Sequence, residues 1–462
     1  MHRLVGLLLT VTVGLVLADS AIVTLALPEM LEQLDASVTE VAWVLISYNL
    51  VLGVLAVPAA LRPLRVRPRI LAAAGIAVFA GASAWCAAAP TIEVLIAARC
   101  LQAVGGAFAL VGALELLVAR SGERRGVAAW VTAGVVGTAA GPVAGGLLTE
   151  AISWQAIFIA QVPFAALAVP AALAVRTRHQ GQAVPEPAVS HRPVIGHNVT
   201  LALLSAALTA ALFLLVLLLV EGWRHSPATA ALTVSVIPVA ALAAQPLARL
   251  LRTTPDLELA AGCVLVAGGL VGLALPPSAD LWWTVAPQAL VGLGLGLSVD
   301  ELTHRAMEDR LPRARHAAWT ISARHLGVVV GLAVLTPVFT ADLLDAEEPA
   351  TEAIAALVLD APLQPDDKIS VARALGSHLT DQRGQVPELD GAFAELDVRA
   401  EDEAAVADLE RGLDDQLDRS VSLAFRDSYL VGAGLAALAL LSVGLTAAAG
   451  AARRSRARRS LV

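Results

Sequence analysis

The chain has 462 residues, 57% of them hydrophobic and 16% charged, with a mean hydropathy of +0.72 and a formal net charge of −8. A soluble domain carries roughly 25% charged residues, so these figures exclude a soluble globular protein and point to an integral membrane protein. Lys368 is the one lysine among many arginines, which speaks to a source genome biased to high GC and not to mechanism.

Hydrophobic runs of about 17–25 residues mark candidate spans. They fall near 4–27, 41–61, 70–89, 93–118, 127–148, 155–175, 197–220, 228–248, 257–275, 282–300, 317–339 and 428–450. Residues 1–21 carry a signal-peptide-like pattern, but the apolar run continues to Leu27 and eleven more follow, so a first membrane helix is the better reading. Cys86, Cys100 and Cys263 all lie in apolar runs, which implies neither a disulfide frame nor a metal cluster.

The fifth span holds the stretch AGVVGTAAGPVAGGLL, Ala133 to Leu148. Gly134, Gly137, Gly141 and Gly145 recur at helical spacing on one face, with Pro142 and Gly146 beside them. In water each glycine costs about 1 kcal/mol against alanine and a proline about 3. In lipid an apolar segment must be helical, and small residues let a neighbour approach closely. Two readings fit the spacing: a tight helix seam in a transporter, and a generic small-residue packing face.

The linker 176–196 is polar and proline-containing, and too short for another hairpin. It splits the chain into six spans and six, the layout of two bundles with a site between them. Its histidines (His179, His191 and the adjoining His197) have no metal-ligand spacing. Residues 342–427 hold 22 acids and 7 bases, a net of −15. Val406, Leu409, Leu413 and Leu417 recur there at helical spacing, in a segment that can run into the last span. A solvated extension is one reading of this region; a lid or docking surface for an exported substrate or envelope protein is the other. Tryptophans near span ends, among them Trp43, Trp154, Trp223, Trp282 and Trp283, suit interfacial anchors.

Arginines crowd the connections after even-numbered spans: Arg62, Arg65, Arg67 and Arg69 after the second, Arg120, Arg124 and Arg125 after the fourth, and others after the sixth, eighth and tenth. Acids crowd the odd-numbered connections. This alternation predicts both termini on the cytoplasmic side of a plasma membrane. The expected domains are an N-terminal six-helix bundle (1–175), a cytoplasmic linker (176–196), a C-terminal six-helix bundle (197–341 and 428–452), an acidic extracytoplasmic domain (342–427) and a basic tail (453–462). The expected fold class is all-α: two six-helix transmembrane bundles plus a mostly helical or irregular extracytoplasmic loop domain.

Five segments carry a resemblance. They are Asp19–Pro28 (DSAIVTLALP), Arg99–Gly106 (RCLQAVGG), Gly137–Gly146 (GTAAGPVAGG), Trp154–Pro163 (WQAIFIAQVP) and Ser322–Gly331 (SARHLGVVVG). In that order, on twelve spans, they resemble the major facilitator superfamily, and within it the fourteen-helix drug:proton antiporters. The resemblance implies the major facilitator fold in a bacterial membrane and favours the seam reading of the glycine stretch. It also implies proton coupling through Arg99 with Gln102. There are two departures. The central helix pair of the fourteen-helix plan has no room here. The loop after the second span, AALRPLRVRPRIL, keeps its basic residues but lacks the family's aspartate, which helps latch the two halves on the cytoplasmic side.

An ionisable group inside a span costs several kcal/mol unless paired or wetted, so each is a candidate. Asp19 lies about two thirds of the way along the first span, at a depth suited to taking up and losing a proton; a local capping or pairing role is the alternative. Arg99 keeps its charge, and a structural ion pair is the alternative to its coupling role. Glu115 lies sixteen residues beyond it, roughly 24 Å at 1.5 Å per residue, so the two do not pair. Glu115 either faces the cavity or pairs with the Arg120–Arg125 cluster. Arg324 is expected at a cavity or seam in the second half, and Asp300 and Glu301 at the interface. No Gly-rich Lys-Ser loop is present, so energy is expected from an ion gradient, with no cofactor, no metal and no enzymatic activity.

The partners expected are a small-molecule substrate, protons, the lipid bilayer and a candidate envelope protein, with no nucleic acid. Three functions compete. The first is a proton-coupled exporter of amphipathic or cationic compounds, working by alternating access. The second is an exporter of an envelope lipid or secreted metabolite, suggested by the acidic domain and the 4% aromatic content. The third is a transport-inactive sensor or assembly partner, suggested by the missing latch aspartate.

Overall fold

The computed structural model describes residues 2–61, 67–175, 193–307, 313–364, 367–373, 375 and 403–459. Twelve of its helices are long and apolar enough to cross a membrane, among the described residues. In chain order the first half has α1 (His2–Thr24), the short α2 (Leu27–Gln33), α3 (Val38–Leu61), α4 (Pro68–Ala87), α5 (Ile92–Ser121), α6 (Glu123–Ala151) and α7 (Trp154–Ala174). The second half has α8 (Ile195–Gly222), α9 (Pro227–Leu251), α10 (Pro255–Ala274), α11 (Leu281–Met307), α12 (Arg313–Asp360), α13 (Glu403–Ala424) and α14 (Arg426–Arg459). Spans α1 and α14 begin and end on one side of the molecule, here the terminus side; the opposite side is the far side. Most of the linker 176–196 lies outside the described residues, as do His179 and His191.

Local chemistry fixes the helix ends. Ser37 and Glu40 form a capping box at the start of α3: the Ser37 backbone N–H donates to Glu40 Oε2 at 2.8 Å and the Glu40 N–H to Ser37 Oγ at 3.3 Å. Ser226 and Thr254 cap α9 and α10, their hydroxyl oxygens accepting from the Thr229 and Leu257 N–H groups, each followed by a proline in the first turn. Gly122, at φ +80°, ends α5 in a conformation that L side chains rarely adopt. The first span is shorter than its apolar run suggested. It ends at Thr24, because Pro28 has no backbone N–H to give a continuing helix and instead starts α2. Two of the expected interfacial anchors are core residues. Trp154 is fully buried and donates from Nε1 to Gln33 Oε1 at 3.0 Å, and Trp223 donates to Ser422 Oγ at 3.1 Å. Trp282 and Trp283 are exposed, as anchors are.

The glycine stripe of α6 packs on α1, within the first half. A Cβ on Gly137 would lie 2.3 Å from the Gly14 carbonyl oxygen, and one on Gly145 would lie 2.3 Å from that of Ile22. Gly134 and Gly141 meet Leu17 and Ala21 of the same helix. Pro142 is buried beside them. Gly146 alone turns to the second half, where a Cβ would meet Ala231 and the Pro227 carbonyl of α9. Nearby, Glu150 Oε2 accepts from the Ala228 N–H at 2.7 Å, an acid at the start of a helix. On the far side one continuous apolar core runs through both halves, from Leu25, Met30 and Val44 to Leu214, Leu218 and Val234. Outside the spans, burial pushes the Glu29 carboxyl of α2 above the usual carboxylate range.

The described part of the acidic region is built onto the second half. α12 does not stop with its apolar stretch but continues unbroken to Asp360. α13 lies against it, burying Leu409, Leu413 and Val421, and joins α14 after a single break at Phe425. The Phe425 ring sits 4.4 Å from that of Phe339. Replacing Leu413 by alanine should therefore cost about 2–5 kcal/mol of packing. The expected result is faster amide exchange along α13 with the spans unchanged. Unchanged exchange would mean that α13 is held by something other than its apolar face.

Candidate functional site

Five helices of the first half converge on Asp19. Asp19 comes from α1, Tyr48 from α3, Ser83 and Cys86 from α4, Arg99 and Gln102 from α5, and Phe158 and Gln161 from α7. Asp19, Arg99 and Gln102 are fully buried, and Gln161 nearly so. A buried ion pair survives only if its remaining lone pairs and protons are satisfied. Here they largely are. Arg99 Nη1 donates to Asp19 Oδ2 and, at 2.6 Å, to Gln102 Oε1. Asp19 Oδ1 accepts from Gln161 Nε2 at 3.0 Å and from Gln102 Nε2 at 3.2 Å. Gln102 Nε2 also lies 2.8 Å from Ser83 Oγ. Arg99 Nε donates to the Val44 carbonyl at 3.3 Å.

The guanidinium is flanked by aromatic faces, 4.1 Å from the Tyr48 ring centroid and 5.6 Å from that of Phe158. Such cation–π contacts suit an arginine that has left water. Tyr48 is held in turn by its hydroxyl, which donates to the Val16 carbonyl at 2.9 Å. Arg99 Nη2 has no hydrogen-bond partner among the described residues. The group therefore offers one ionisable carboxylate, one fixed cation, two amides that can reorient, and one unused donor.

The structure brings together Asp19, Arg99 and Gln102 from the sequence-derived set. Glu115 sits further along α5, toward the terminus side and outside this network. Arg324 lies elsewhere: with Asp300 and His325 it lines a cavity of about 40 Å³ between the halves, closed on the other side by Leu17, Trp130 and Gly134. Glu301 pairs with Arg305 Nε at 2.5 Å, and Arg305 also reaches Asp256 at 2.8 Å. Of the arginines in the loop after the second span, Arg62 and Arg65 lie outside the described residues; Arg67 and Arg69 open α4. Sequence reasoning passed over Ser83 and Gln161. Both are polar side chains within apolar spans, the same signal that marks Asp19.

Comparison with known proteins agrees with this architecture. Over 236 residues the chain is 31% identical to the methylenomycin A resistance protein of Streptomyces coelicolor, covering 50% of this chain and 48% of that one. It is 35% identical over 159 residues to the multidrug efflux pump LfrA of Mycolicibacterium smegmatis, covering 34% and 32%. It is 34% identical over 184 residues to the tetracenomycin C resistance and export protein of Streptomyces glaucescens, covering 39% and 34%. The chain thus spans about half the length, or less, of the curated relatives it matches. Among solved structures, a bacterial homolog of the human lysosomal transporter Spinster, inward-facing and unoccupied, superposes with a TM-score of 0.59 at 14% identity, over 96% of this chain and 98% of that one. That is a likeness of fold. Residues 9–334 match the Major Facilitator Superfamily, and the chain belongs to that family.

Proposed function

We propose that the chain is a proton-coupled antiporter that exports amphipathic or cationic small molecules by alternating access, with its terminus side in the cytoplasm. The observation that carries the reading is the buried Asp19–Arg99 pair with its amide shell. A proton moving down 100 mV supplies about 2.3 kcal/mol. A carboxylate that exchanges a proton against its arginine converts that into a choice between two packings, because a ligand shifts an equilibrium only by its differential affinity for the two states. The arginine-rich connections after even-numbered spans support the orientation. The relatives named above, described as resistance and efflux proteins, support export.

The test is proton movement from reconstituted vesicles on adding a panel of lipophilic cations. Substrate-dependent proton movement is the expected result. No flux with any cation, from protein shown to be folded, would overturn this reading. Weight would then move to export of an envelope lipid or secreted metabolite, or to a partner protein that transports nothing.

A further inference from the structure

The largest contact between the two halves on the terminus side is the packing of α3 against α12. At its centre the backbones come close: a Cβ on Gly53 would lie 3.0 Å from Leu326 Cγ. Ser322 Oγ donates to the Gly53 carbonyl at 2.5 Å. One turn toward the membrane centre, His325 Nδ1 lies 2.6 Å from Asn49 Oδ1. Asn49 is fully buried, and Ser322 and His325 are buried too.

The roles within this contact can be assigned. Asn49 Nδ2 sits 2.8 Å from the Leu45 carbonyl, which can only accept, so the amide nitrogen points there and Oδ1 points at the imidazole. His325 Nδ1 therefore carries the hydrogen and donates. The same amide nitrogen is 3.0 Å from Ser20 Oγ. A hydrogen-bonded line thus runs from α12 through α3 to α1.

That line meets the ionisable pair at two adjacent positions. Ser20 follows Asp19 on α1. Asn49 follows Tyr48 on α3, and the Tyr48 ring lies under the Arg99 guanidinium. Ser20 and Asn49 are thus each one residue away from a member of that buried group.

We propose that His325 is a positioning residue for transport: with Ser20 and Asn49 it forms the tie that holds the α3–α12 seam shut while the Asp19–Arg99 pair is intact. This tie rests on the antiporter reading for its link to Asp19, but the tie itself is a property of the folded chain and is tested without substrate.

The experiment is hydrogen exchange on the full chain in lipid nanodiscs, read at the terminus-side ends of α3 and α12. His325→Leu removes the donor. His325→Asn places an amide nitrogen near the Nδ1 position and retains it. Losing one hydrogen bond of about 1 kcal/mol net should raise exchange at both ends about fivefold in the leucine variant. The asparagine variant should stay near wild type, and α4 and α10 should be unchanged in both. In vesicles, His325→Leu should still bind lipophilic cations but pass them with less proton movement per molecule.

Unchanged exchange in folded His325→Leu, or equal effects in His325→Asn and His325→Leu, would overturn the tie. If His325→Leu is not recovered folded, Asn49→Ala removes the acceptor from the other helix with the same expectation and the same overturning result. Wild-type protein that moves no proton with any cation would sink the antiporter reading, while the exchange result would still decide the tie.

Discussion

Asp19→Asn is expected to abolish substrate-driven proton movement in vesicles, to background at any proton gradient. Asparagine keeps the size of the side chain and loses its charge. Arg99, fully buried, is then left without its counter-ion. The new amide group also places donors against Arg99 Nη1 or against the amides of Gln102 and Gln161, which now donate to the carboxylate. Breaking a buried pair by removing one partner costs about 3–5 kcal/mol, so lost transport could be lost folding. A double-mutant cycle separates the two. Arg99→Met alone should destabilise by a similar amount, and Asp19→Asn with Arg99→Met by clearly less than the sum, since no charge is then left unpaired. The double variant should melt near wild type and still move no protons. Proton movement that survives in Asp19→Asn would place the coupling acid elsewhere.

The second large effect is expected at the glycine face of α6. Gly137→Ala puts a methyl group where the Gly14 carbonyl oxygen already lies, 2.3 Å away, and Gly145→Ala does the same against Ile22. Neither contact is with a flexible side chain that could swing aside. The backbone of α1 must move, and overpacking of this kind costs about 1–3 kcal/mol or more. Because α1 carries Asp19, the shift also misaligns Asp19 with the amides of α5 and α7. The expected outcome is a lower melting temperature together with reduced transport. Gly268 is the control, because a Cβ there would meet nothing within 4 Å. Gly268→Ala should be neutral or slightly stabilising, since alanine is the better helix former by about 1 kcal/mol. Equal effects at Gly137 and Gly268 would show that helix propensity alone, not close approach, sets the requirement.

The parts of this molecule legible in the sequence are those with a local signature. Twelve apolar runs, a Ser-x-x-Glu box at 37–40 and the spacing of Gly134, Gly137, Gly141 and Gly145 each state their own structure. Asp19, Arg99 and Gln102 are legible because a charge or amide in lipid needs a reason. The pairing of Asp19 with Arg99 is not, since 80 residues separate them and only the packing of α1 on α5 joins them. Nor is the partner of the glycine face. Spacing says that something approaches closely but not which helix, and the answer is α1 of the same half. Trp154 and Trp223 mislead for a related reason. Position near a span end favours the interface, yet each ring is buried against other helices, with its indole N–H on a side chain of a neighbouring helix. His325 is silent inside its motif, because its significance lies in Asn49, on the other half of the molecule.

The length of α12 has a mechanical consequence. It is one helix of 48 residues, about 72 Å at 1.5 Å per residue. If it rocks about its contact with Asn49 near residue 325, the arm toward the terminus side is roughly 18 Å and the arm toward α13 roughly 53 Å. A lever with those arms turns a small opening at one end into a displacement about three times larger at the other. It also works in reverse. A rigid binder that clamps α13 against the far end of α12 would hold the long arm with a threefold advantage, and so brake the proposed cycle from the face opposite the chain termini.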